Sequence, residues 1–187
     1  MNPQEFLVLI KHALDGAGIP YMVTGSFASA FHGAPRSTFD IDLVISADRI
    51  SLGKFVAAFP LDRYYVSEEA ALEALDARGQ FNVIDSVSGW KADFIIQKEG
   101  AHPEAEMSRR TEHALLGVRL FIASKEDSII SKLQWAKESE SEKQIRDVAG
   151  MLLSRETSID SDYLENWIRK LGLQAQYESA KRKAGVA

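Results

Sequence analysis

Residues 24–45, TGSFASAFHGAPRSTFDIDLVI, decide the fold of this chain. The short β-rich run at residues 21–24 leads into them, and Gly25 and Ser26 then open a short helix. A Gly-Ala-Pro loop follows, and residues 40–45 alternate acidic with apolar side chains, which is the period of a strand with two different faces. The stretch therefore predicts two strands joined by a tight turn, a short helix and a loop.

Outside this stretch, the pattern mixes strands and helices in the first two thirds of the chain and is helical in the last third. The predicted helices are an N-terminal one around residues 6–14 and then 48–59, 67–78, 124–138, 141–154, 160–171 and 174–183, and the further strands are 81–85, 90–96 and 118–123. This order predicts the α+β class, with helices packed on a small mixed β-sheet and a C-terminal helical subdomain. We place the core at residues 1–123 and the helical subdomain, packed on it, at residues 124–187.

Composition excludes several classes of function. The 187 residues include no cysteine, and the four histidines lack paired ligand spacing, so we expect no zinc site, no disulfide and no thiol chemistry. The net charge of −5 argues against broad nucleic-acid binding, and we interpret the basic stretch at residues 181–183 as a solvated terminus. The sequence has no signal-peptide pattern and no apolar run near the roughly 20 residues that cross a membrane, so we expect a cytoplasmic protein.

Asp40 and Asp42 form the first chemical feature. Side chains two apart on a strand share a face, with Cα atoms about 6.5 to 7 Å apart. Two ionised carboxylates this close repel each other and need a counter-charge. Such a pair can bridge two Mg²⁺ ions about 3.5–4 Å apart when phosphate oxygens complete their coordination. An exposed strand end is the alternative explanation for this pair taken alone.

Two other features point toward the same chemistry. Gly25 and Ser26 lie where a strand turns into a helix, so their N–H groups and the serine hydroxyl can bind a phosphate, although a simple helix cap is the alternative. Asp93 lies in an apolar predicted strand, where an unpaired carboxylate is unfavourable. Lys91 shares its face and could neutralise a carboxylate or a phosphate. An ordinary salt bridge is the alternative role for Asp93.

This series of motifs resembles the nucleotidyltransferase superfamily related to DNA polymerase beta. The resemblance implies the nucleotidyltransferase fold, two Mg²⁺ ions held by catalytic carboxylates, and a Gly-Ser turn that binds the phosphates of an NTP. Arg36, in the loop before the second strand, would bind a phosphate or brace the carboxylates. The residues that carry the match are Gly25, Ser26, Gly33 to Thr38, Asp40, Asp42 and Asp93.

A closer resemblance is to the AbiEii-type nucleotidyltransferase toxins, in three further features. Lys91 lies two residues before the third acid, Asp127 and Lys132 form a D-x4-K motif, and Asp147 lies on a later helix. The resemblance implies that Lys132 holds the triphosphate as a point charge and that Asp147 orients this lysine. A solvated helix face is the alternative for Lys132 and Asp147, and it is the interpretation we favour for Asp127.

The resemblance implies that an NMP moves from an NTP such as ATP, GTP or CTP to a hydroxyl group. The acceptor would be an RNA, with tRNA among the candidates, or a protein. It also implies a toxin-like component of a toxin–antitoxin system, with a cognate antitoxin or toxin protein as partner. The alternative is a catalytically idle module that binds a nucleotide or a partner, as an antitoxin would. No feature of the sequence names the base or the acceptor.

Overall fold

A computed structural model of the chain describes residues 1–35, 38, 40–155 and 158–186. The strands are β1 (Tyr21–Val23), β2 (Asp40–Ile45), β3 (Tyr64–Tyr65), β4 (Gln80–Asp85), β5 (Lys91–Ile96), β6 (Thr111–Leu115) and β7 (Val118–Ile122). The helices are α1 (Pro3–Ala17), α2 (Gly25–Phe31), α3 (Arg49–Ala57), α4 (Glu68–Ala77), α5 (Ala101–Arg109), α6 (Lys125–Ser139), α7 (Glu142–Leu153), α8 (Ser161–Leu171) and α9 (Gln174–Ala184). The α+β class is confirmed.

The strands form one mixed sheet in the order β3-β4-β5-β2-β1-β7-β6. Strands β2 and β5 run parallel, as do β1 and β7, and the other neighbours are antiparallel. β2 therefore lies in the interior of the sheet, hydrogen-bonded to β5 on one side and to β1 on the other. This position holds the D-x-D strand rigidly from both edges.

Helix α1 shows how local sequence signals define the start and the end of a helix in this fold. Asn2 caps its first turn by accepting a hydrogen bond from the Glu5 N–H at 2.9 Å, and the Asn2 N–H in turn donates to Oε2 of Glu5. Gly18 ends the helix with a φ of +69°, a conformation that glycine adopts without strain. Phe6 and Leu14 are fully buried, so the apolar face predicted from the sequence is the face that packs.

Apolar side chains bury one face of the sheet. Ile41, Leu43 and Ile45 of β2 are fully buried, and so is Phe94 of β5. Phe55 of α3 packs edge-on against Phe94, with ring centroids 4.8 Å apart. Each such side chain contributes roughly 1.5–3 kcal/mol when it leaves water. Because the side-chain period of a strand is two, the acidic residues of β2 must then point to the opposite face.

The chain divides into two compact units. The first comprises residues 1–24 and 38–122, and it contains the whole sheet with α1, α3, α4 and α5. The second comprises residues 25–37 and 123–187, and it contains α2 and α6 to α9. This division assigns α2 to the helical unit, whereas the sequence-based boundary after residue 123 leaves it in the core. The domain boundary itself stays a prediction.

The second unit has its own hydrophobic core. Its four C-terminal helices match the predicted ranges closely, and they bury Ile129, Leu133, Val148, Leu164 and Ile168 at 6% exposure or less. Trp135 of α6 is 54% exposed, and the buried residues of α6 include charged as well as apolar side chains.

Three elements were not predicted from the sequence: β3, α5 and β6. β3 has two residues, and α5 is polar and has no side-chain cap. β6 is an edge strand with little burial, joined to β7 by Leu116 and Gly117, both with positive φ. A positive φ at both central residues is typical of a tight hairpin turn, so Gly117 was the available signal.

In the part of the chain that the structure describes, no helix is long and apolar enough to span a membrane.

Candidate active site

Four charged side chains lie together on the second face of the sheet. Strands β2 and β5 pair in parallel, with Asp40 beside Lys91 and Asp42 beside Asp93. Because residues directly opposite each other in a sheet point to the same face, these four side chains form a two-by-two group. The exposed fraction is 55% for the Asp40 side chain, 32% for Lys91 and 13% for Asp93. The group is therefore open to solvent at Asp40 and sheltered at Asp93.

Lys91 lies between two of the three carboxylates. Its ammonium nitrogen is 2.8 Å from Oδ2 of Asp93 and 3.7 Å from Oδ1 of Asp40. The hydrogen bond to Asp93, with the charges of Asp93, Asp40 and Asp42, raises the pKa of Lys91 above its usual value, although partial burial acts in the opposite direction. Lys91 therefore stays protonated at neutral pH.

Asn82 is a candidate functional residue that the sequence analysis missed. Strands β4 and β5 are antiparallel, and their register places Asn82 directly opposite Asp93. It therefore belongs to the charged face, as a neutral amide that can donate or accept a hydrogen bond. The predicted hairpin of β4 and β5 was the available signal, but the register of that hairpin had to be known to use it.

Local backbone contacts fix both acidic residues of β2. The hydroxyl of Thr38 accepts a hydrogen bond from the Asp40 N–H at 3.2 Å, which holds the entry to the strand. The N–H of Thr24, just after β1, donates to the carbonyl of Asp42 at 2.9 Å. The D-x-D segment is thus held by its own turn and by the end of the neighbouring strand.

The donor chemistry of this face suits a hard cation such as Mg²⁺. All three acidic side chains offer carboxylate oxygens, which are the ligands that such cations prefer. The carboxylates of Asp40 and Asp93 already lie beside a positive charge, the Lys91 ammonium group. Over the described ranges, however, no three acidic or histidine side chains are gathered closely enough to hold a metal ion. The carboxylates of Asp40, Asp42 and Asp93 fit a cation in their chemistry and in their shared strand face.

The predicted phosphate-binding turn lies at the start of α2. Gly25 has a φ of +61°, which an L-residue adopts only at a cost of roughly 1–2 kcal/mol, so the sharp turn requires glycine. Ser26 follows and is buried at 4% exposure. Gly33, at the end of this segment, has a φ of +105°, and a Cβ there would lie 2.2 Å from Cβ of Ser154. Arg36 lies outside the described residues.

Lys132 and Asp147 form a buried ion pair inside the second unit. The ammonium nitrogen of Lys132 lies 3.0 Å from Oδ2 of Asp147, and the two side chains are 6% and 11% exposed. The structure thus brings Asp147 to the lysine that the sequence analysis expected it to orient. The role of this pair in nucleotide binding stays a prediction.

Asp127 does not lie on a solvated helix face, which corrects the interpretation we favoured. It is fully buried, and it accepts hydrogen bonds from the hydroxyl groups of Ser124 at 2.6 Å and Tyr163 at 2.7 Å. Its N–H also donates to the Ser124 oxygen at 3.1 Å, so it belongs to the N-terminal cap of α6. Tyr163, on a later helix, could not be identified as its partner from sequence spacing.

Comparison of whole structures shows the fold. The chain is similar to the solution structure of the antibiotic-resistance factor ANT(2'')-Ia, with 16% identity over 97% of this chain and 96% of that one and a TM-score of 0.54. It is also similar to the crystal structure of ANT(2'')-Ia in complex with adenylyl-2''-tobramycin, with 19% identity over 92% of this chain and 97% of that one and a TM-score of 0.57. A third similar structure is that of an antigenic nucleotidyltransferase-like protein from Paracoccidioides brasiliensis, with 20% identity over 92% of this chain and 91% of that one and a TM-score of 0.51.

Comparison of the sequence with protein-family models and with curated proteins finds no match. The structural likeness shows the nucleotidyltransferase fold. It does not distinguish the AbiEii-type branch from other proteins of this fold.

Proposed function

We propose that the protein is a magnesium-dependent nucleotidyltransferase that transfers an NMP from an NTP to a hydroxyl group of an RNA or a protein. One observation carries the proposal: Asp40, Asp42 and Asp93 lie on one face of two adjacent parallel strands, with Asp42 in register with Asp93. Three carboxylates and one ammonium group, that of Lys91, leave an excess of negative charge on this face, which favours a bound cation. The fold, shared with ANT(2'')-Ia, supports the same assignment.

In this proposal, Asp40, Asp42 and Asp93 would hold Mg²⁺, which would supply charge stabilisation for the phosphoryl oxygens and activation of the acceptor hydroxyl. The hydroxyl oxygen attacks the α-phosphorus of the NTP and forms a new P–O bond. The bond from the α-phosphorus to the bridging oxygen of the β-phosphate breaks, and pyrophosphate leaves. Asp93, which is sheltered at 13% exposure, would accept the hydroxyl proton.

The phosphate-binding roles belong to the same proposal and rest on the sequence pattern. Gly25 and Ser26 would donate N–H and O–H groups to phosphate oxygens, and Arg36 would add a bidentate donor. Lys132 would supply a point charge, with Asp147 orienting it at 3.0 Å. Calorimetric titration of the protein with NTP measures nucleotide binding, and it therefore tests these roles separately from turnover.

Transfer is measured with α-³²P-labelled NTPs, Mg²⁺ and three acceptors: tRNA, a protein mixture and the protein itself. We expect label in one acceptor class, and we expect Asp40→Asn and Asp42→Asn to abolish it. Asp62→Asn removes an exposed carboxylate of the same unit and serves as the matched control. Absence of NTP binding, together with identical behaviour of the two aspartate variants and the wild type, would refute the proposal.

The ion pair at Lys91 favours a second candidate, an idle nucleotide- or partner-binding module. Lys91 compensates two carboxylates without any metal, so the group could persist as a static salt-bridge cluster. Calorimetry with NTP and Mg²⁺ distinguishes the two functions, because tight binding without label transfer to any acceptor supports the idle module.

The finer proposal is that this activity makes the protein the toxin of a toxin–antitoxin pair. It rests on Lys91, Asp127, Lys132 and Asp147, the residues of the AbiEii-type resemblance. Induced expression in a bacterial host should then arrest growth, and Asp42→Asn should remove the arrest. Co-expression with the product of the adjacent gene should give a stable complex. If the host grows normally while the expressed protein is enzymatically active, the protein is a nucleotidyltransferase without a toxin role.

A further inference from the structure

The position of Lys91 has a consequence for cation binding. Its ammonium group hydrogen-bonds Asp93 at 2.8 Å and lies 3.7 Å from Asp40, on the sheet face that carries all three carboxylates. These are two of the acidic side chains proposed to hold Mg²⁺. In this arrangement the lysine uses oxygen lone pairs that a divalent cation would need.

The lysine side chain is suited to leave these oxygens. It is 32% exposed, and it has a flexible four-carbon stem that ends in a compact charge. An ion pair whose lysine is partly exposed is solvated on that side, so exchanging the positive partner requires less free energy than in a fully buried pair. Asp40 is 55% exposed, which gives a cation a route to the group from solvent.

We infer that Lys91 is the resident counter-charge of Asp40 and Asp93 in the metal-free protein, and that it competes with the divalent cation for these carboxylates. The inference rests on the proposed function, because it takes these carboxylates as the cation site. It gives Lys91 a role distinct from phosphate binding: the lysine sets the affinity of the site for the cation and keeps the carboxylates compensated in its absence.

The test measures cation affinity without nucleotide or turnover. Mn²⁺, which takes the same oxygen ligands as Mg²⁺, is titrated into the protein, and the free ion is measured by electron paramagnetic resonance. Lys91→Met removes the ammonium group and retains most of the side-chain volume. We expect it to bind Mn²⁺ roughly fivefold more tightly than the wild type, on the scale of one half-exposed ion pair.

Two further variants make the comparison specific. Lys98→Met removes the same charge just beyond the other end of β5, about 20 Å away along the strand. That distance exceeds the Debye length of about 8 Å at physiological ionic strength, so we expect wild-type affinity. Lys91→Arg retains the charge, and it should bind Mn²⁺ no more tightly than the wild type.

A second readout follows the lysine itself. NMR spectra of the lysine side-chain ammonium groups, assigned with Lys91→Arg, are recorded during titration with Mg²⁺. We expect the Lys91 signal to shift and broaden as it loses Asp93, with the Lys98 signal unchanged. This measurement uses the wild-type protein, so it decides the inference even if Lys91→Met does not fold.

The outcomes separate the inference from the proposed function. Equal or weaker Mn²⁺ binding by Lys91→Met, or a Lys91 signal unchanged at Mg²⁺ saturation, overturns the inference and leaves a metal-dependent enzyme intact. No Mn²⁺ binding by the wild type or the variant overturns the inference and the metal-dependent function together. Tighter binding by Lys91→Met, with Lys98→Met unchanged, supports both.

Discussion

Each unit of the molecule contains a lysine–aspartate pair at hydrogen-bonding distance, and the two pairs differ in their surroundings. Lys91 lies 2.8 Å from Asp93 and Lys132 lies 3.0 Å from Asp147. The two aspartates are similarly sheltered, but Lys91 is 32% exposed and Lys132 only 6%. A third charge, the open carboxylate of Asp40, lies near Lys91.

This difference indicates which pair can change partners. A buried ion pair is held in place, because removal of either member leaves an uncompensated charge away from water. A half-exposed pair is solvated and screened, so either member can exchange its partner. We therefore expect the Lys91 group to act in cation binding and the Lys132 pair to be more important for stability.

The largest expected effect is on activity, at Asp93. Asp93→Asn keeps the shape of the side chain but removes the proposed base and a cation ligand. We expect label transfer to fall on the order of 10³-fold, the scale of losing one essential electrostatic group. The free energy of unfolding should change by less than about 1 kcal/mol, as for a half-exposed pair.

Single-turnover label transfer and urea unfolding of the same preparation measure these two effects. Asp62→Asn again serves as the control. Retention of activity by Asp93→Asn would remove the distinction between the two pairs, because both would then be structural.

The next effect is on stability, at Asp147. Asp147→Ala leaves Lys132 buried with its acidic partner removed, and we expect a loss of about 3 kcal/mol. The double variant Lys132→Met/Asp147→Leu removes both charges and should recover most of that loss. Urea unfolding measures all three proteins. A loss below 1 kcal/mol for Asp147→Ala would mean that this pair is as exchangeable as the one at Lys91.

A smaller effect is expected at Asn82. Asn82→Ala removes the amide beside Asp93, a neighbour that can orient the carboxylate. We expect kcat/KM for label transfer to fall about tenfold, the scale at which partners behind a metal ligand act. The matched control is Gln80→Ala, an exposed amide at the start of the same strand. Equal effects of the two substitutions would contradict a role for Asn82 in the site.

The smallest effect is the salt dependence of the two pairs. The Debye length falls from about 10 Å at 0.1 M salt to about 3 Å at 1 M, and it screens exposed charges first. The stability difference between the wild type and Lys91→Met should therefore shrink as NaCl rises, whereas that between the wild type and Lys132→Met should persist. Urea unfolding at both salt concentrations measures this. If both stability differences changed with salt in the same way, the distinction between the Lys91 pair and the Lys132 pair would be wrong.

Much of the fold could be predicted from local signals. The D-x-D strand, the β4–β5 hairpin and four C-terminal helices have strong periodicity and clear ends, and the structure has all of them. The elements that were missed are short or exposed, such as β6, so burial left little pattern in their sequence. Asp127 was misjudged because its partner Tyr163 lies 36 positions later, beyond any helical spacing.

By itself, the sequence determined which side chains share a strand face, because the period of two places Asp40 with Asp42 and Lys91 with Asp93. It could not determine that β5 lies next to β2, or in which register. Strand order and register depend on contacts between residues far apart in the chain, and a shift of one residue would reverse the faces. Only the tertiary structure placed Asp42 beside Asp93 and the Lys91 ammonium between two carboxylates.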